Sequence, residues 1–119
     1  MIYKESIEIL SEWIGSKGFK LYVYTDAEDG VDFLTRSVMI NSRNHLEKRL
    51  YIMLHECGHI LVSSSSDRIY SLSRTANIDH GIRPSTKKRV AVLSEEFEAW
   101  KRGERLAYRL GIEINEKKY

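Results

Sequence analysis

The chain has one cysteine and one proline, and it nowhere shows the run of about 18 apolar residues that a membrane-spanning helix needs. A single thiol, Cys57, excludes an internal disulfide. Charge of one sign is also lacking: 19 Lys and Arg against 17 Asp and Glu leave a formal +2, too little to drive association with nucleic acid or an acidic membrane. The opening residues Met1 to Ser6 do not follow the charged-then-apolar pattern of a secretory signal, so a cytoplasmic protein is expected. With 119 residues, 42% of them hydrophobic, the chain can bury one core, and a single domain over 1–119 is expected.

Against that background one pentad points to chemistry: His55-Glu56-Cys57-Gly58-His59, an H-E-x-x-H inside a helix-periodic segment. Leu46, Leu50, Met53, Leu54, Cys57, Ile60 and Leu61 recur at helical intervals between Leu46 and Val62 and define one apolar face. Residues four apart stand one above the other on a helix, so both imidazoles can reach one metal ion, with Glu56 on the side where a metal-bound water would lie. The histidines occupy a strip beside the apolar face. Cys57 sits at the centre of that face, as a small core residue. Asn44 is the expected N-cap, with Glu47 three residues on in loose capping-box fashion, and His45 is expected at the surface. Gly58 costs a helix interior about 1 kcal/mol relative to Ala, which suggests close approach by a backbone or a substrate. Two histidines at this spacing also arise by chance on charged helices, so the pentad needs a further ligand.

A catalytic zinc takes three protein ligands and leaves its fourth position to water. The best supply is Glu95-Glu96-Phe97-Glu98, in a second helical stretch from about Val92 to Leu110 with Val92, Ala99, Gly103, Leu106, Ala107 and Leu110 on one face. At about 100° per residue Glu96 falls near the middle of that face, Glu95 at its edge and Glu98 well away. A carboxylate in the core direction needs a partner, and a metal is the usual one. Glu96 is therefore the expected third ligand, with Glu98 and then Glu95 as alternatives. The competing arrangement starts the helix later, with Ser94 as N-cap and Glu95 and Glu96 simply favouring its positive end.

The segment Ser37-Val38-Met39-Ile40-Asn41, followed by Lys48 to Leu61 with its H-E-C-G-H, resembles the ImmA/IrrE family of bacterial and phage metallopeptidases, which are similar to minimal gluzincins. In that family a strand ending near an Ile-x-Asn precedes the H-E-x-G-H helix. Glu96-Phe97-Glu98-Ala99-Trp100 is similar to the family's second motif, a Glu three residues before an Ala that a polar residue follows, and by that match Glu96 is the third zinc ligand. The resemblance spans about residues 37 to 110. Trp100 stands where Asn or Asp is common, Gly103-Glu104 replaces the usual Phe-Ala, and the Leu-Leu-x-Pro that often follows is absent. The resemblance implies a repressor or stress regulator as substrate and a phage or mobile-element setting.

These readings converge on an expected mechanism. Zinc held by His55, His59 and Glu96 lowers the pKa of its bound water to about 7, and Glu56 takes the proton as the water attacks a peptide carbonyl and passes it to the leaving amine. Histidine and carboxylate ligands suit zinc and also accept cobalt, nickel or manganese. The alternative is a non-proteolytic regulatory or interaction module that keeps the zincin fold; the intact Glu56 favours the enzyme. A DNA-linked SprT-like protease is disfavoured by the modest charge and the missing zinc-ribbon cysteines.

The remaining sequence is expected to supply an α+β scaffold, which the resemblance implies is a small zincin-like domain. Tyr3 to Gly15 reads as an amphipathic helix through Ile7, Leu10, Trp13 and Ile14, with Gly15 and Gly18 as stop signals. Phe19 to Thr25 reads as a strand, Asp26 to Gly30 as a turn, and Val31 to Leu34 with Ser37 to Ile40 as one or two more strands. A sheet edge beside the site would accept an extended peptide as an added strand. Ser63 to Arg89 reads as a long loop, either a lid or disordered, with room for a short helix near Ile69 to Ala76. Within it Tyr70 is expected to pack and His80 to be exposed, rather than to serve an oxyanion. Its basic run Lys87-Lys88-Arg89 has no interleaved aromatics and reads as a solvated lead-in.

Overall fold

A computed structural model describes residues 2–64 and 86–119 of the chain. Helix α1 runs Ile2–Ser16, with Leu10 and Ile14 fully buried on its inner face. Gly15 lies inside this helix and Gly18 ends it. At Gly18 φ is 82°, and the Gly18 and Phe19 amides donate back to the Gly15 and Ile14 carbonyls at 3.0 and 3.2 Å, closing a Schellman motif.

Three strands follow: β1 (Lys20–Tyr24), β2 (Gly30–Asp32) and β3 (Ser37–Asn41). The sheet order is β1-β3-β2. β1 runs parallel to β3, Lys20 opposite Ser37 and Tyr24 opposite Asn41, whereas β2 is antiparallel to β3, Gly30 opposite Met39. Residues 33–36 make the β2–β3 turn, where Asp32 Oδ1 accepts from the Leu34 and Thr35 amides at 2.9 and 3.3 Å. Val38 and Ile40 alternate inward from the central strand and are fully buried.

Helix α2 (Leu46–Ser64) carries the pentad. Its cap differs from expectation: Lys48 N donates to His45 Nδ1 at 3.3 Å, so His45 is the N-cap in place of Asn44. Asn44 is engaged elsewhere, its side chain donating to the Asp29 carboxylate at 3.3 Å. Glu47 faces away from the cap and accepts from Tyr3 and Tyr51 hydroxyls at 2.9 and 3.0 Å. Helix α3 spans Thr86–Leu110. It starts six residues before the expected Val92, so Ser94 lies inside it and is no cap.

Among the described residues the architecture is therefore α+β, three helices with one small mixed sheet. The core lies between α2 and the other elements, where Leu10, Ile14, Val38, Ile40, Leu50, Met53, Leu54, Cys57 and Leu106 pack together. None of the described helices is long and apolar enough to cross a membrane. Tyr70, His80 and the possible helix near Ile69 lie outside the described residues.

Candidate metal centre

The site is made where α2 crosses α3, and two glycines set that crossing. A Cβ on Gly58 would lie 2.6 Å from the carbonyl carbon of Ala99 and closer still to its oxygen. One on Gly103 would meet the Leu54 carbonyl oxygen at 2.5 Å and press on the Tyr119 hydroxyl. Backbone cannot yield as a side-chain tip can, so the two helices approach this closely only because both positions lack a side chain. The unusual Gly58 of the pentad is thus explained by backbone approach, one of the two causes expected of it.

The crossing brings the pentad against the first half of α3. His55 Nε2 lies 2.9 Å from Glu96 Oε2, His59 Nε2 lies 3.3 Å from Glu96 Oε1, and the two Nε2 atoms are 3.1 Å apart. Metal–ligand distances of about 2.0–2.1 Å put the corners of a tetrahedral site about 3.3 Å apart, so this triangle has the scale of three metal ligands. His55, His59 and Glu96 are the described cluster of metal-ligating type, their donor atoms all within 4.8 Å of one another.

The other carboxylates of the acidic run go elsewhere. Glu98 pairs with Arg102 at 3.0 Å. Glu95 Oε1 lies 2.8 Å from His59 Nδ1, the ring nitrogen that faces away from the triangle. Glu96 thus joins the histidines from the margin of α3's buried face and not from its middle. Glu95 is the buried one, its side chain 9% exposed, whereas that of Glu96 is 47% exposed at the margin. The buried stripe is Ala91, Glu95, Ala99, Gly103, Leu106 and Ala107, so four residues of the expected face do point inward, whereas Val92 and Leu110 at its ends are only half-buried. The small residues at four-residue spacing, 91, 99 and 103, were the signal that would have put 95 inward.

Trp100 also escaped the sequence reading. Its ring stacks on His55 with centroids 4.1 Å apart and planes at 23°. Tyr119 backs it from behind, edge-on at 4.9 Å, and donates its hydroxyl hydrogen to the Trp100 carbonyl at 2.7 Å. No pattern within α3 predicts that partnership.

The electrostatics follow from burial among charges. Burial pushes the Glu56 carboxyl above its ordinary range; the two histidines oppose this, and Glu96 and Asp29 add to it. Burial disfavours charge on His59, yet the Glu95 and Glu96 carboxylates outweigh it and raise the imidazole to about 10 in the metal-free chain. Hydrogen bonds from His55 and then His59 hold Glu96 well below the usual carboxylate range. Burial raises the Cys57 thiol, in keeping with a core residue.

Fold and site together define an α+β domain with a His-His-carboxylate cluster able to hold a metal ion, flanked by a buried glutamate. Compared with models of known protein families, with curated proteins and with solved structures, the chain finds no match.

Proposed function

We propose that this chain is a zinc-dependent metallopeptidase with a minimal gluzincin site, of the kind its resemblance to the ImmA/IrrE family implies. The observation that carries the proposal is the convergence of two imidazoles on one carboxylate: His55 Nε2 lies 2.9 Å from Glu96 Oε2, His59 Nε2 lies 3.3 Å from Glu96 Oε1, and the two Nε2 atoms are 3.1 Å apart. In this reading those three groups hold Zn2+. The bound ion supplies Lewis acidity, polarising a peptide carbonyl and acidifying water. Glu56 is the general base. Its burial, and the proton affinity that burial raises, suit a carboxylate that must take a proton near neutral pH and return it to a leaving amine.

Substrate positioning falls to the sheet. β2 is an edge strand of the sheet and packs against α2, the helix that carries the pentad. In this reading an extended peptide adds to that edge as a further strand. The substrate is an intracellular protein, a repressor or stress regulator by the resemblance. The test is a peptide library digested with zinc-loaded protein and read for new termini by mass spectrometry. Cleavage by the wild type that chelator abolishes and Glu56→Gln lacks is expected; no cleavage, or equal cleavage by Glu56→Gln, would overturn the proposal in favour of a non-proteolytic module.

A further inference from the structure

The two histidines of the cluster are held in different ways. His55 is fixed in plane by Trp100, and among the described residues its buried Nδ1 has no hydrogen-bond partner. Stacking constrains a ring plane without choosing which nitrogen bears the proton. His59 has a buried carboxylate at 2.8 Å from Nδ1 and Glu96 on the Nε2 side. A neutral imidazole has one N–H and one lone pair, and a carboxylate can only accept. A hydrogen bond to Glu95 therefore keeps the proton on Nδ1 and leaves the Nε2 lone pair directed at the cluster.

We propose that Glu95 is a positioning residue: it fixes the tautomer and orientation of His59 and thereby raises the affinity of the cluster for a divalent metal. This rests on reading His55, His59 and Glu96 as metal ligands. Glu95 is not a fourth ligand, because it meets the ring nitrogen opposite the cluster. Its place is set by the same crossing that sets the ligands, four residues before Ala99 where α3 touches Gly58. Carboxylates in this relation to a ligating histidine typically contribute about 10- to 100-fold in metal affinity.

The test is zinc affinity, by competition with a chromophoric chelator, of wild type, Glu95→Ala, Glu95→Gln and Glu98→Ala, with imidazole 15N spectra of the zinc-loaded forms. Glu95→Ala should bind zinc about 10- to 100-fold more weakly. Glu95→Gln keeps an accepting oxygen and should recover most of that loss, and Glu98→Ala should match wild type. The His59 Nδ1–H signal should be protected in wild type and in Glu95→Gln, and lost to exchange in Glu95→Ala. Glu95→Ala binding zinc as wild type does would overturn the role. So would equal losses in both Glu95 variants with the Nδ1–H signal unchanged, which is simple destabilisation. A wild type that binds no zinc would overturn the ligand reading itself, and this role with it.

Discussion

Glu56, His59 and Glu96 each depend on neighbours that the pentad alone does not name. Burial pushes the Glu56 carboxyl above its ordinary range against the pull of the two histidines, with Glu96 and Asp29 adding to the rise. Glu56→Gln should keep zinc at wild-type stoichiometry while turnover falls by about 10²- to 10⁴-fold, read by the peptide-library assay. For His59 the raised value has a sign. Raised from 6.5 to about 10, it contributes stability to the metal-free chain that is full below 6.5 and disappears as pH rises towards 10. Glu96 is lowered, so its contribution is present above 4.5 and lost in acid. Zinc must displace the His59 proton, so binding at pH 7.5 should release about one proton per ion. Calorimetry in buffers of different ionisation enthalpy measures this; a release of zero would contradict the charged His59. The pentad and Glu96 were legible in the sequence because spacing on one helix and a carboxylate run are local patterns. Glu95 and Trp100 were not, because their partners lie 36 and 45 residues away.

At the scale of elements, the α2–α3 crossing decides whether the site exists. Gly58 and Gly103 let two backbones meet at positions one residue or a few from His55, His59 and Glu96. Gly58→Ala should destabilise the chain by about 1–3 kcal/mol or more, since the added methyl meets backbone and the helices must part. It should also weaken zinc binding, because parting the helices separates Glu96 from the histidines. A thermal melt with and without zinc checks both; a variant as stable as wild type would show that the crossing yields freely. The elements themselves were largely readable. Helical periodicity places α1 and α2 within one or two residues, and alternation places β1; residues 31–40, expected as one or two strands, form two. The start of α3 and the cap of α2 were missed for opposite reasons. No stop signal marks residues 86–91, and a histidine can cap where Asn44 is drawn off by Asp29.

Over the whole molecule, the His-His-Glu cluster is braced from residues that follow α3. Residues after α3 return to α2: Asn115 N donates to the Tyr51 hydroxyl at 2.9 Å, and Lys118 reaches Glu47 at 3.3 Å. Glu47 in turn gathers Tyr3 of α1 and Tyr51 of α2. Tyr119 completes the return between Tyr51 and Trp100, which itself lies on His55. Tyr119→Ala should cost about 2 kcal/mol, below the loss for a fully buried aromatic, and should loosen zinc binding through Trp100. Chelator competition beside a thermal melt measures both effects, and unchanged zinc affinity would mean that the brace stops at Trp100. Contacts at this range leave no trace in periodicity, so the brace from residues 111–119 is not legible in the sequence although the helices are. The most direct test of the central claim is the zinc content of the purified chain beside Glu96→Ala and Glu98→Ala, by elemental mass spectrometry. One zinc per chain is expected in wild type and in Glu98→Ala, and none in Glu96→Ala. A wild type without zinc after reconstitution, or a Glu96→Ala that keeps it in full, would contradict that claim.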